Sequence, residues 1–157
     1  MSKMNKIGLD KDHSRELVEK LNDLLANYQV FYQNTRGFHW NIRGEKFFEL
    51  HAKFEELYTD LQAKIDEIAE RILTLSGMPL HTFDDYLKVS KVKSMVNLSK
   101  GKDCVESIVV AFGILLEKQR VILELAAEYG DEGTNAMASD YIREQEKLVW
   151  MYNAWLD

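Results

Sequence analysis

The chain has 157 residues, of which 46% are hydrophobic and 29% charged, a composition typical of a globular protein rather than a disordered or fibrous one. Its formal net charge of −6 argues against a surface that binds phosphates over its whole extent. The longest apolar stretch, residues 108–116, is far shorter than the roughly 20 residues that a bilayer requires. The basic N-terminus is followed by no apolar segment that would form a secretory signal. We therefore predict one cytoplasmic domain over residues 1–157, with a flexible tail at 1–11 and no membrane span.

Glycines and the single proline divide the chain into four long segments in which apolar residues recur at spacings of three and four. These segments predict amphipathic helices over residues 12–36, 45–75, 102–129 and 134–156. Two of the connections are short, whereas residues 76–101 are enough to cross the full length of a bundle. Thr82 can cap a short helix within that crossover, with Phe83, Tyr86 and Leu87 on one side. The expected fold is an all-α, four-helix bundle of ferritin-like topology with a short helix between helices 2 and 3.

The second predicted helix has three distinct stripes of residues along its length. Apolar residues from Phe47 to Ile72 form the stripe expected to face the core. A charged stripe on the other side is expected to face solvent; it contains Lys53, Glu56, Asp60, Lys64, Glu67 and Arg71. The remaining stripe mixes small or apolar residues with four potential metal ligands, namely His51, Glu55, Asp66 and Glu70. Such a mixed face beside the core favours burial against a second subunit.

Imidazole and carboxylate groups suit iron, zinc or manganese. Glu55 and Asp66 are separated by roughly 16 Å along one helix, so they cannot share one ion within a single copy. In two identical helices packed antiparallel about a two-fold axis, the numbers of facing residues have a constant sum. That sum is 121 both for His51 with Glu70 and for Glu55 with Asp66, which predicts two identical metal sites per dimer. The alternative is that these residues form a polar interface between the two helices that binds no metal.

The other histidines give a weaker signal. None has a glutamate three positions earlier, so the Glu-x-x-His motif of di-iron bundles is absent. His39 and Trp40, at the end of the first helix, can fold back near His51 and supply a second imidazole. A histidine in the position of His39 is by itself more often a capping or packed residue, but its proximity to His51 and the acids favours a ligand role. His13 and His81 are expected to have no ligand role. Cys104, the single cysteine, is expected to be a small core residue.

The string F-H-W-N-I-R-G-E-K-F-F-E-L-H-A-K-F-E-E-L-Y, followed by D-E-I-A-E-R, resembles the Dps family of mini-ferritins, the DNA-binding proteins of starved cells. The histidine spacing of twelve and the Asp-x-x-x-Glu pair agree with the family signature, and the likeness extends in outline over residues 14–156. It implies a hollow shell of twelve subunits in which iron is oxidised at sites shared across a two-fold interface. The implied catalytic residues are His39, His51, Asp66 and Glu70, and the implied metal ligands are these four with Glu55, where the family often has aspartate.

The resemblance also implies a function, namely iron storage and detoxification by a ferroxidase that oxidises Fe(II), with hydrogen peroxide as the expected oxidant. The alternative is an architectural shell that compacts DNA and has little oxidase activity. Family members that bind DNA usually have a lysine-rich tail, whereas Asp10 and Asp12 offset the lysines here, so we expect weak DNA binding.

Two further features follow from the same resemblance. Trp40 would place an oxidisable indole beside the iron, with plain packing as the alternative. Iron-entry pores of the family are acidic around the turn between the third and fourth helices. Asp131 and Glu132 fit such a pore, Ala136 stands where an acid is frequent, and Asp140 can substitute for that acid.

Overall fold

A computed structural model of the chain describes residues 3–157. It contains five helices in the order α1 (Lys11–Asn41), α2 (Phe47–Thr74), α3 (Phe83–Val89), α4 (Gly101–Glu128) and α5 (Glu132–Leu156). The prediction of an all-α, ferritin-like bundle is confirmed, and α3 is the short crossover helix. The Thr82 side chain caps α3 by accepting a hydrogen bond from the amide of Asp85, as its position predicted.

Helix α1 extends five residues beyond the predicted C-terminal end at residue 36. Gly37 is one of the glycines that divide the sequence into segments, but the helix continues through it and ends where the amide of Ile42 donates to the carbonyl of Phe38. The turn into α2 instead uses Gly44, whose φ of 111° lies in the region that favours glycine. The extension places His39 and Trp40 on the last turn of α1, in agreement with their predicted position at the end of the first helix.

The helices form two hairpins, α1 with α2 and α4 with α5, which are joined mainly through α1 and α4, while α3 lies on α1. The two hairpins enclose an apolar core, whose largest fully buried side chains include Phe31, Phe54 and Phe112. A closed ring of hydrogen bonds links three buried polar side chains near its centre. Tyr28 donates to Gln119, Gln119 donates to Gln145, and Gln145 donates to Tyr28. The ring satisfies polar groups whose burial would otherwise be costly.

Three asparagines of α1 hold the long crossover in place. Asn22 accepts a hydrogen bond from the amide of Leu80, and Asn34 accepts one from the amide of Met95. Asn27, which is fully buried, accepts from the backbone amides of Lys91 and Val92. The crossover is therefore fixed by side-chain contacts with its backbone, an arrangement that helical periodicity does not reveal.

The prediction that the charged stripe of α2 faces solvent is wrong for part of its length. Lys64 is only 5% exposed and lies between Asp60 and Glu144 of α5. Arg71 pairs with Asp131, the N-cap residue of α5. These side chains are covered because α5 lies beside this stripe, and hydrophobic periodicity could not tell which neighbouring helix would cover a charged face.

Residues 3–10, within the predicted tail, turn back on the start of α1. The amide of Lys11 donates to the carbonyl of Lys3 over 2.8 Å, and the side chain of Asn5 donates to the Ser14 hydroxyl over 3.0 Å. Residues 1 and 2 lie outside the described residues, and the flexibility of the segment stays a prediction. No helix within residues 3–157 is long and apolar enough to cross a membrane.

Candidate metal centre

Two imidazoles are locked together where α1 ends and α2 begins. Nδ1 of His39 lies 2.6 Å from the carbonyl oxygen of His51, and Nδ1 of His51 lies 2.7 Å from the carbonyl oxygen of His39. The two rings stack with their centroids 3.8 Å apart. A carbonyl oxygen only accepts hydrogen bonds, so each Nδ1 carries a proton and donates it. The prediction that His39 folds back near His51 is therefore confirmed by this geometry.

This pairing leaves Nε2 of both rings as the nitrogen with a free lone pair. A hydrogen bond from the far ring nitrogen to a carbonyl is the usual device that fixes the tautomer and orientation of a metal-binding histidine. Nε2 of His39 lies 3.7 Å from a carboxylate oxygen of Glu55, one turn along α2 from His51. His39 is buried while the side chain of Glu55 is 59% exposed, so the group lies at the edge of the chain.

The other two candidate ligands do not reach this group. Asp66 and Glu70 lie on the same helix, on its exposed face, three to four turns further along. Over residues 3–157 of one chain, no three His, Cys, Asp or Glu side chains converge closely enough to hold a metal ion. One chain thus places His39 against His51 and beside Glu55, and it leaves Asp66 and Glu70 away from them.

Aromatic and cationic side chains that the sequence reasoning did not single out border the histidines. The ring of Tyr58 stands edge-on to that of His39, with centroids 5.4 Å apart. The guanidinium of Arg36 lies 4.9 Å from the ring of Trp40 and 5.7 Å from that of Tyr58. Trp40 itself is 55% exposed. Arg36 and Tyr58 could have been found from their spacing, since each lies within two helical turns of a candidate histidine on the same helix.

Large apolar side chains are exposed at both ends of the face that carries His51 and Asp66. Phe48 is 84% exposed at the start of α2, and Leu73 is 58% exposed near its end. Between them, Ala52 is exposed and Ala69 is partly covered. Exposed apolar groups rimmed by polar ones are typical of a protein–protein contact.

The turn between α4 and α5 differs from the acidic pore that the sequence suggested. Asp131 is 2% exposed and accepts hydrogen bonds from Arg71 and from the amide and hydroxyl of Thr134, so it caps α5 and cannot line an opening. Glu132 is exposed, and Asp140 pairs with Arg143. Of the two acids predicted to line a pore, Asp131 and Glu132, only Glu132 is exposed and could do so.

The other two histidines and the cysteine lie away from the candidate ligands. The ring of His13 stacks on that of Tyr129, and Nδ1 of His81 lies 3.0 Å from the carbonyl oxygen of Pro79. Cys104 is fully buried in the core, as expected, and burial raises the pKa of its thiol to about 11.

Comparison with known proteins agrees with this architecture. The family model of the ferritin-like domain matches residues 18–157. A DPS protein of Vibrio cholerae O1, described as a member of a broad superfamily of ferritin-like diiron-carboxylate proteins, is 62% identical, with a TM-score of 0.98 over 100% of this chain and 99% of that chain. Dps from Bacillus brevis is 36% identical, with a TM-score of 0.90 over 93% of this chain and 98% of its own.

A curated relative, the DNA protection during starvation protein of Porphyromonas gingivalis, is 45% identical over 94% of this chain and 93% of its own. The helix order and the family match together define a ferritin-like protein. Within that class, the chain belongs to the Dps family of mini-ferritins.

Proposed function

We propose that this protein stores and detoxifies iron by oxidising Fe(II) with hydrogen peroxide at sites shared between two copies of the chain, within a hollow shell of twelve. The observation that carries the proposal is the locked histidine pair at the edge of the chain, in which Nδ1 of both rings is engaged by a carbonyl oxygen and Nε2 of His39 lies 3.7 Å from Glu55. A second copy would complete the site, because Asp66 and Glu70 lie too far along α2 to reach the histidines of their own chain.

A single register explains both the ligands and the exposed apolar groups of this face. With facing residue numbers that sum to 121, His51 lies opposite the second copy's Glu70, and Glu55 opposite its Asp66. The same register sets Phe48 against Leu73 and Ala52 against Ala69 of the second copy. The exposed apolar ends of α2 would cover each other, and small residues would let the two helices approach.

In such a site, the imidazoles would bind Fe(II) through Nε2. The carboxylates of Asp66, Glu70 and Glu55 would balance the higher charge of the Fe(III) that forms. Anionic oxygen ligands favour Fe(III) over Fe(II) and so assist the loss of an electron. Two Fe(II) supply one electron each to one hydrogen peroxide, the O–O bond breaks, and two protons complete two waters. Because peroxide takes both electrons, no hydroxyl radical is released, and the Fe(III) passes inward to mineralise.

DNA compaction without oxidation is the alternative, and the name of the Porphyromonas relative refers to DNA protection. The start of this chain gives it little support. Lys3, Lys6 and Lys11 belong to a turn that also contains Asp10, whose carboxylate caps α1. The phosphate-binding charge available there is small.

The proposal is tested by replacing Asp66 and Glu70 together with alanine. We expect fast oxidation of Fe(II) by peroxide, followed as absorbance growth near the ultraviolet, to be lost while the helices and the assembly persist. Carboxylates that face each other without a cation repel, so the metal-free assembly of the double variant should be no less stable than that of the wild type. If the double variant dissociates in sedimentation experiments and loses oxidation only for that reason, the acids are structural and the proposal fails. Unchanged oxidation in an intact assembly would refute it directly.

A further inference from the structure

A guanidinium group lies among three aromatic rings where α1 packs on α2. The central carbon of the Arg36 guanidinium lies 4.9 Å from the centre of the Trp40 ring. It lies 5.6 Å from the centre of the Tyr32 ring and 5.7 Å from that of Tyr58. Tyr32 and Trp40 are one turn before and one turn after Arg36 on α1, whereas Tyr58 belongs to α2. A cation at such distances is attracted by the negative face of a ring.

Rings rather than carboxylates surround the charge of Arg36 in the part of the chain that the structure describes. None of the ion pairs formed within residues 3–157 includes this side chain. Its Nε atom is buried without a hydrogen-bond partner among the same residues. A paired carboxylate would offset most of the field of the guanidinium, so here that field acts on the rings.

These rings adjoin the candidate metal centre. Trp40 follows His39 in the chain and is 55% exposed. The ring of Tyr58 lies edge-on to that of His39, and the ring of Tyr32 lies edge-on to that of Tyr58 with centroids 6.0 Å apart. Indole and phenol rings are among the side chains that lose an electron most readily. An oxidant that reaches the histidine face therefore meets oxidisable rings as well as candidate ligands.

The position of Arg36 makes the indole harder to oxidise. When Trp40 loses one electron, its ring becomes a radical cation. The attraction between the guanidinium and the electron-rich ring face is then replaced by repulsion between two positive charges. Because this cost falls on the oxidised state alone, the one-electron oxidation potential of Trp40 is raised. A tyrosine loses its phenolic proton together with the electron, so its oxidised ring is neutral and only the attraction is lost.

We propose that Arg36 is a protective residue that raises the oxidation potential of Trp40 and so keeps the indole intact beside the histidine face. A purely structural arginine would hold α1 to α2 equally well, but it would not change how easily the indole is oxidised. The effect on the ring requires no metal. Its use, which is to leave the oxidising equivalents of peroxide for Fe(II), rests on the proposed function.

The test treats the intact, metal-free assembly with chlorine dioxide, an uncharged one-electron oxidant. Chlorine dioxide takes one electron and becomes chlorite, while the indole becomes a radical cation whose N–H proton passes to water. Mass spectrometry of peptides at early times then measures the oxidation of each tryptophan. Trp150 is the internal reference, since it is 65% exposed and no cation within residues 3–157 lies over its ring. In Arg36→Met, oxidation of Trp40 relative to Trp150 should be about three- to tenfold faster than in the wild type.

Arg36→Lys is the matched control, because it keeps a positive charge beside the ring, and its relative rate should stay within about twofold of the wild type. If the Lys and Met variants oxidise Trp40 equally fast, the guanidinium shields the ring only by covering it, and the proposal fails. Unchanged oxidation in a folded Arg36→Met protein refutes it as well. If Met disturbs the assembly in sedimentation experiments, Arg36→Gln is the second uncharged variant and must show the same gain.

A second measurement replaces chlorine dioxide with Fe(II) and hydrogen peroxide. Oxidised Trp40 should accumulate in Arg36→Met but in neither the wild type nor Arg36→Lys. If Trp40 of Arg36→Met stays intact while iron is oxidised, the protective role is wrong. A wild-type assembly that does not oxidise iron would refute the proposed function and with it the use of the protection, whereas the chlorine dioxide rates still decide whether Arg36 tunes the ring.

Discussion

Sharing of the metal site between two copies predicts that two inactive variants restore activity when they are mixed. In a chain with His51→Ala, the histidine half of the site is damaged and the acidic half is intact, whereas Asp66→Ala has the reverse effect. Each variant by itself has a defect in every site. In a hybrid dimer, one site contains both substitutions and the other contains neither. The intact site forms because the two-fold axis places the His51 of the Asp66→Ala chain opposite the acidic half of the His51→Ala chain, whose Asp66 is intact.

The size of the effect follows from this symmetry. Random exchange of equal amounts gives hybrids for about half of the dimers, and each hybrid has one intact site of two, so about a quarter of the wild-type oxidation rate should return. The assay is peroxide-driven oxidation of Fe(II), measured before and after subunit exchange that is verified by mass spectrometry of differently labelled chains. The control mixes His51→Ala with His39→Ala, whose defects lie in the same half and which should stay inactive. Absence of recovery despite complete exchange would refute the shared site.

Three other outcomes follow from the structure. Asn27→Ala leaves the buried backbone amides of Lys91 and Val92 without a hydrogen-bond partner. In urea denaturation it should lower the free energy of unfolding by about 2–4 kcal/mol. The control Asn41→Ala, at an exposed position, should change that free energy by less than about 0.5 kcal/mol. Burial is the main cause that raises the pKa values of Tyr28 and Tyr152 above the ordinary 10.0. The two buried, neutral tyrosines therefore contribute fully to the free energy of unfolding below about pH 10, and this contribution is lost as the pH rises further. Absorbance titration should show these tyrosines ionising only in a cooperative unfolding step, and gradual ionisation without unfolding would contradict the burial. Retardation of duplex DNA should be weak at about physiological ionic strength and should fall steeply with added salt, so tight binding under those conditions would contradict the charge argument.

Periodicity and spacing in the sequence already define the helices and most of the candidate ligands. Helical spacing of apolar residues fixed the four long helices, since a stripe repeating every three to four residues can be buried only on one side of a helix. The long crossover set the ferritin-like topology, and the residue numbers on α2 alone placed His51, Glu55, Asp66 and Glu70 on one face. These are properties of one helix or of chain connectivity, which the order of residues determines.

Contacts between elements were decided only by the tertiary structure. Asp131 was expected at a pore and Lys64 in solvent, yet each is buried by a charged partner from another helix. The hydrogen bonds that lock His39 to His51 run between ring nitrogens and backbone carbonyls of two helices, so no pattern within either helix indicates them. A periodic pattern specifies which side of a helix is polar, but which polar groups become paired and buried depends on the neighbour that covers that side.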